Sequence, residues 1–255
     1  MKHLPFLLLL FLSVVSCNKK EFTLKGTLEN GANKMLYLEE LTPEGPLFID
    51  SIKLDAKGRF SYKYNIPYES FYNLHVSDID YIVLMPQANA TTEISGNYQN
   101  LSYTYSVVGT PNDEALWKLQ NFSNHGIERL HEIIALDKQN RATLHGADSV
   151  AGKQVTDSLY RDAYSEQQDY IVKFITDNRG SLATLIALYK PFNNHPIIDP
   201  ALNMDWYEEV LSGLEEMMPS NPHTLHFANT VAVLRHKYPQ QQALDFELTS
   251  DSEEE

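Results

Sequence analysis

The hydrophobic pattern of the chain changes its period within residues 105–114, whose sequence is YSVVGTPNDE. Before Gly109, apolar and polar residues alternate, which is typical of half-buried strands. After Gly109, Thr110 and Pro111 are followed by acidic residues, a composition typical of a helix N-terminus. The stretch therefore predicts an α+β fold, with strands on its N-terminal side and helices on its C-terminal side.

On the N-terminal side, eight segments have the composition and the alternation of strands. They are residues 22–28, 35–41, 48–54, 59–66, 71–76, 81–85, 90–95 and 101–108. Such short, evenly spaced strands predict an antiparallel β-sandwich or a flattened barrel over residues 22–109. Asp55 to Gly58 is expected to be a hairpin loop, with the glycine at a position of positive φ.

On the C-terminal side, apolar residues recur at helical spacing and predict a small α-helical domain over residues 110–240. We expect Asn124-His125-Gly126 to interrupt its first helix and Asn178-Arg179-Gly180 to end its second. Residues 241–255 are acidic and lack apolar periodicity, so the sequence predicts a disordered tail there.

Residues 1–20 have the composition of an export signal. Lys2 gives a positive start, and Phe6 to Leu12 is an apolar run of seven residues. A membrane-spanning helix needs roughly 20 apolar residues, so the run is too short to span a bilayer. It ends at Val14-Val15-Ser16-Cys17, which resembles the lipobox that lipoprotein signal peptidase recognises.

The lipobox resemblance implies a modified N-terminus. Residues 1–16 would be removed as a signal peptide, Cys17 would be lipidated, and residues 17–21 would tether the folded part to a membrane. Asn18 is not the aspartate associated with inner-membrane retention, which favours the outer membrane. The expected location is the cell envelope, with the chain lipid-anchored and facing the periplasm.

The composition argues against two classes of function, which are thiol redox chemistry and nucleic-acid binding. Cys17 is the one cysteine in 255 residues, so the chain cannot form an intrachain disulfide, and acylation leaves no free thiol for redox chemistry. The formal net charge of −14 opposes binding to nucleic-acid phosphates. The expected contact is with a membrane through the lipid, and with an envelope protein partner.

Candidate catalytic and metal-binding groups have weak sequence support. His223-x-x-His226 lacks a third ligand at a diagnostic spacing, and its position beside Asn221-Pro222 predicts an exposed helix cap. Glu208-Glu209 and Glu215-Glu216 fall on the polar side of an amphipathic helix. We therefore predict no catalytic residue, no metal site and no cofactor, and a protein that is not an enzyme.

The N-terminal half resembles a known domain. The matching residues are Phe22-x-Leu24-x-Gly26, Ile49-Asp50-Ser51, Asp55 to Phe60, Phe71-Tyr72-x-Leu74, Ile82 to Pro86, and Tyr105-x-Val107-x-Gly109-Thr110-Pro111-x-Asp113. In this order they resemble the N-terminal domain of unknown function that many envelope lipoproteins of Bacteroidetes bacteria carry. In many of these lipoproteins, a thioredoxin-like thiol-disulfide oxidoreductase domain follows.

That resemblance has two further implications. Ala243-Leu244-Asp245-Phe246 is similar to the opening of the thioredoxin-like domain, but the Cys-x-x-Cys centre is absent, so the segment is either a remnant or a chance match. Ser51, Ser149 and Ser158, each in an Asp-Ser-aliphatic sequence, resemble acceptors of periplasmic O-glycosylation in these bacteria. Three-residue patterns also recur by chance.

Tyrosine is abundant, with 15 residues in the chain, and eight of them fall between Tyr62 and Tyr105. They either line the core of the sandwich or form an aromatic binding surface. The sequence therefore indicates a non-enzymatic, lipid-anchored envelope protein with a binding or scaffolding role. The alternative is an accessory or truncated relative of a thiol-disulfide oxidoreductase whose catalytic domain is missing or lies on another chain.

Overall fold

The structure is a computed structural model, and it describes residues 20–239. Within this range the N-terminal part consists of strands and one short helix. Their bounds are β1 (Glu21–Glu29), β2 (Met35–Thr42), β3 (Gly45–Lys53), β4 (Arg59–Asn65), β5 (Phe71–Ser77), β6 (Asp80–Leu84), β7 (Thr91–Asn97), α1 (Leu101–Thr104) and β8 (Ser106–Val108).

The C-terminal part of the described chain is mostly helical. Its elements are α2 (Pro111–Thr143), α3 (Ala147–Asp177), α4 (Ala183–Leu188), β9 (Pro191–Phe192), β10 (His195–Pro196), α5 (Met204–Met217) and α6 (Pro222–Lys237). The change from strands to helices falls at Gly109 and Thr110, as the sequence predicts. The α+β fold class is confirmed.

The strands form two four-stranded sheets that do not close into a barrel. The first sheet has the order β4-β1-β7-β8 and the second has the order β3-β2-β5-β6. All neighbouring strands are antiparallel except β1 and β7, which run parallel. Of the two predicted architectures, the structure therefore has the sandwich.

The sandwich core lies between the inner faces of the two sheets. Alternate residues of β1, namely Phe22, Leu24 and Leu28, are buried against the second sheet, which contributes Leu38 and Leu74. This is the period-2 burial that alternating strands produce, and burying such side chains stabilises the fold by about 1.5–3 kcal/mol each. The strand alternation seen in the sequence thus marks the core.

The loop from Asp55 to Gly58 has the predicted turn but not the predicted connection. Gly58 has a φ of +74°, and the Arg59 backbone N–H and guanidinium lower the pKa of Asp55 to about 2. The flanking strands do not pair with each other, because β3 lies in the second sheet and β4 in the first. The hairpin prediction was therefore wrong, and the turn carries the chain between sheets.

Two other local predictions were wrong for reasons that lie elsewhere in the chain. Residues 101–104 form α1 instead of a strand, because the Asp80 carboxylate accepts hydrogen bonds from the backbone N–H groups of Leu101 at 2.9 Å and Ser102 at 2.7 Å. Helix α2 continues through Asn124 to Gly126. A Cβ at Gly126 would lie 2.4 Å from the Gln167 amide nitrogen, so glycine allows α3 to approach.

The helices cover the outer face of the second sheet. Phe71 and Met85, at the ends of β5 and β6, belong to the same buried cluster as Leu116 and Leu119 of α2 and Leu185 of α4. None of the helices within residues 20–239 combines the length and the apolar character that crossing a membrane requires. The β and helical parts therefore share one continuous apolar interface.

A buried carboxylate joins the two parts at the start of α2. Asp113 is 1% exposed, and its Oδ1 accepts from the Met85 backbone N–H at 2.8 Å. Its Oδ2 accepts from the hydroxyls of Thr92 at 2.7 Å and Thr110 at 3.0 Å. Thr110 and Asp113 also form the capping box that begins α2, so one side chain fixes the helix to both sheets.

Replacing this carboxylate tests its structural role. We expect Asp113→Ala to lower the free energy of unfolding by about 3 kcal/mol or more, because the Met85 N–H and the Thr92 hydroxyl lose their charged acceptor while buried. Chemical denaturation measures the loss. Asp148→Ala is the matched control, since Asp148 is an exposed acid in the first turn of α3, and it should change the free energy by less than about 1 kcal/mol. Equal effects of the two variants would contradict this role.

Candidate functional site

A cleft of about 650 Å³ opens where the loop before β5 meets the helices. We call it the junction cleft. Its lining residues are Tyr68, Glu69, Asn112, Arg179, Gly180, Ser181 and residues 217–221. They come from the β4–β5 loop, the first turn of α2, the α3–α4 link and the α5–α6 link, so the fold assembles the cleft from four separate parts of the sequence.

Two glycines bring the α3–α4 link onto α5. Gly180 has a φ of +81°, and a Cβ there would lie 2.5 Å from Met217 Cγ. A Cβ at Gly213 would lie 2.9 Å from the Gly180 backbone nitrogen. These close approaches need residues without a side chain. The predicted helix end at residues 178–180 is thus correct, and its glycine also shapes one wall of the cleft.

Arg179 is held in place at this wall. Its Nε donates to Glu209 Oε1 at 2.8 Å and its Nη1 donates to Glu216 Oε2 at 2.6 Å. Hydrogen bonds to Glu216 and Glu209 raise the pKa of the Arg179 guanidinium. Two of the carboxylates that the sequence placed on a solvated helix face, Glu209 and Glu216, thus share one guanidinium, and Glu208 pairs with Arg235 at 2.7 Å.

Apart from Arg179 and Glu69, the residues that line the cleft are uncharged. Ser181 Oγ donates to Asn112 Oδ1 at 3.1 Å, and Asn221 Nδ2 donates to the Glu69 carbonyl at 2.8 Å. Met217 is 66% exposed at the rim, and a thioether adapts readily to a partner of irregular shape. Since Arg179 is already paired with two carboxylates, most of the cleft surface offers shape and neutral hydrogen bonds for binding.

A serine and a histidine form a buried pair behind the cleft. Ser70 Oγ lies 3.0 Å from His223 Nε2, a spacing that a nucleophile and its base would need. Ser70 is 0% exposed, so its hydroxyl is closed off from solvent in this structure. The pair instead fastens the start of α6 to the start of β5, and the Phe71 ring packs edge-on against His223 at 5.1 Å.

The prediction of an exposed helix cap at His223 is therefore right about the cap and wrong about the exposure. Asn221 does cap α6 by accepting from the His223 N–H at 2.9 Å, but the His223 side chain is buried. His226 and His236 are exposed. Within the described range, no group of three or more His, Cys, Asp or Glu residues could hold a metal ion.

The remaining predicted site residues fall in separate places. Ser51 is exposed on β3, an edge strand, while Ser149 and Ser158 are half-buried at the first turn and in the middle of α3. Their O-glycosylation stays a prediction. Cys17 and Ala243 to Phe246 lie outside the described residues.

The tyrosines divide between the core and the surface, and an aromatic binding surface stays a prediction. Tyr72 and Tyr105 are core residues, whereas Tyr81 and Tyr103 are exposed. Tyr68 lines the junction cleft, where burial and the nearby Glu40 carboxylate raise its pKa. Glu40 itself is 4% exposed, and one of its oxygens has no hydrogen-bond partner within the described part of the chain. Sequence reasoning did not single out Glu40, Ser70 or Asn112.

Comparison with known families gives one match. A family described as a domain of unknown function (DUF4369) matches residues 22–116. The matched segment contains both sheets and ends in the first turns of α2, so it includes Asp113. Searches of curated proteins and of solved structures found no match to this chain.

The burial of His223 predicts a pH dependence of stability. Desolvation lowers the pKa of His223, and His226 adds to this while Glu40 and Glu44 oppose it. The unfolded chain therefore binds the proton more readily, and the stability from neutral His223 is present above about pH 6.5 and is lost as the pH falls below it.

We expect the free energy of unfolding of His223→Gln to depend less on pH between 7.5 and 5 than that of the wild type. Urea denaturation across this range measures the difference. His236→Gln removes an exposed histidine at the far end of the same helix, which is not among the groups that shift the pKa of His223, and should leave the wild-type dependence in place. A His223→Gln protein that loses stability as steeply as the wild type would show that His223 is not the responsible group.

Proposed function

We propose that this protein is a lipid-anchored, non-enzymatic binding protein of the cell envelope. The lipobox-like sequence ending at Cys17 supports the anchor. Strand β1 begins at Glu21, so the four residues from the lipidated cysteine to the sheet span at most about 14 Å. The folded part would then stay close to the membrane surface, facing the periplasm.

The junction cleft is the observation that carries the binding role. Its volume of about 650 Å³ lies within the range of roughly 300–1,000 Å³ for ligand sites. Apart from Glu69, its polar groups are neutral or already paired, and the Ser70–His223 pair behind it is buried. These properties favour recognition of a partner protein segment over chemistry on a substrate.

The second candidate is an accessory role in thiol-disulfide exchange. Exchange needs one thiolate to attack and a second thiol to resolve the mixed disulfide, and the chain has one cysteine. A partner chain with a thioredoxin-like Cys-x-x-Cys domain would have to supply the chemistry. The two candidates differ in the identity of the partner, which a cross-linking experiment at the cleft can determine.

The anchor is tested by changing its acceptor atom. Cys17→Ser should abolish fatty-acid labelling and globomycin-sensitive processing, because a hydroxyl does not replace the thiol nucleophile. Labelling of cells followed by immunoprecipitation measures both. Asn18→Ser, which leaves the lipobox-like sequence intact, should remain labelled. A Cys17→Ser protein that still carries label would overturn the lipid anchor.

The cleft is tested by site-specific photo-cross-linking in cells. Met217→p-benzoylphenylalanine should yield a discrete adduct, because Met217 lies at the cleft rim. Val233→p-benzoylphenylalanine is the matched control, since Val233 on α6 is also apolar and 66% exposed. Identical adduct patterns, or none at Met217, would contradict a binding role for the cleft. An adduct with a Cys-x-x-Cys protein would favour the accessory role.

A further inference from the structure

A second cavity lies between the outer face of the second sheet and the helices. It has a volume of about 290 Å³ and shares no lining residue with the junction cleft. On the sheet side its wall is formed by Leu41 and Val83, and on the helix side by Leu116, Leu119 and Ile186. The cavity therefore presents aliphatic side chains on two opposite sides.

One cationic side chain enters this apolar cavity. Lys190, two residues after the end of α4, lines it, and its Nζ donates to Gln120 Oε1 at 2.7 Å. Burial lowers the pKa of Lys190 to about 8. No carboxylate of residues 20–239 pairs with this ammonium in the structure, in contrast to Lys153 and Lys173, which pair with Asp157 and Asp177.

The ammonium group of Lys190 has a neutral hydrogen-bond acceptor as its partner and no negative charge to balance its own. It carries three N–H donors, and the amide oxygen of Gln120 accepts one of them without bringing a negative charge. Taking a charge out of water is costly unless it is paired. Lys190 as a whole is half-buried, and Tyr81 on the cavity wall is 46% exposed, so a small molecule can reach the cavity from solvent.

We propose that this cavity binds a small apolar monocarboxylate, with its carboxylate on Lys190 Nζ and its hydrocarbon part between Leu41, Val83 and Ile186. One negative group matches the one cation, and the aliphatic walls match a hydrocarbon body. A divalent cation would be repelled by the ammonium. A sugar would leave most of its hydroxyls against apolar walls without partners.

Octanoate is a suitable probe, with two control ligands that each lack half of its chemistry. Octanol keeps the tail without the charge, and acetate keeps the charge without the tail. Calorimetry on residues 17–255, produced without the export signal and therefore without acylation, avoids competition from membrane lipid. Octanoate should bind at least about tenfold more tightly than either control, because a hydrogen bond to a charged group and the burial of the tail both contribute.

Two lysine variants test whether octanoate binds in this cavity. Lys190→Met should weaken octanoate binding at least about tenfold, because the charged donor is lost. Lys153→Met removes an exposed, ion-paired lysine of α3 and should leave the affinity unchanged. Octanoate affinity that is the same in Lys190→Met, or octanol that binds as tightly as octanoate, would overturn the proposal.

A measurement on the unsubstituted lysine covers the case in which Lys190→Met does not fold. Reductive methylation with ¹³C-formaldehyde labels the lysine side chains, and the NMR signal of Lys190 should be shifted from the others by its burial. Octanoate should move this signal while acetate at the same concentration does not. A Lys190 signal that does not respond to octanoate would also overturn the proposal. None of these outcomes depends on the lipid anchor or the junction cleft.

Discussion

The Asp113 carboxylate is the contact on which the arrangement of the molecule depends. It accepts from Met85 at the end of β6, from Thr92 on β7 and from the cap of α2, so it ties both sheets to the helical part. A buried carboxylate is stable only when its oxygens have such donors. The first turns of α2 then supply residues to both cavities, since Asn112 lines the junction cleft and Leu116 the cavity at Lys190. Both candidate sites are thus positioned by one buried acid.

Much of the fold was predictable because it rests on local patterns. Seven of the eight predicted strands occur with bounds shifted by a few residues, since alternation along a strand directly reflects a buried inner face. The Thr110 cap was also predictable, because the residues that mark a helix start are neighbours in the sequence. The errors arose where distant residues decide local structure. Asp80 caps α1 from 21 residues away, and Gln167 of α3 packs on Gly126. The sequence close to residues 101 and 126 does not show that these distant side chains will contact them.

The candidate sites were much less predictable than the fold. The junction cleft draws on four segments, and the position of His223 depends on Ser70, which is 153 residues away in sequence. The glycine at residue 180 was visible as a helix end, but its close approach to Gly213 was not. Lys190 follows a short apolar helix and gave no signal at all, because its significance comes from what surrounds it and not from its neighbours in the chain.

The two cavities differ in the physics of recognition. In the junction cleft, Arg179 is already paired with Glu209 and Glu216, so its charge offers an anionic ligand little additional affinity. At Lys190 the charge has a neutral partner only, so an anion gains from pairing with it. The whole chain has a net charge of −14 and therefore repels anions at long range. An anionic ligand must then obtain its affinity from contact inside the cavity, and the aliphatic walls from Leu41 to Ile186 are the surface available for it. This is why a carboxylate with an apolar body suits the cavity better than a small inorganic anion.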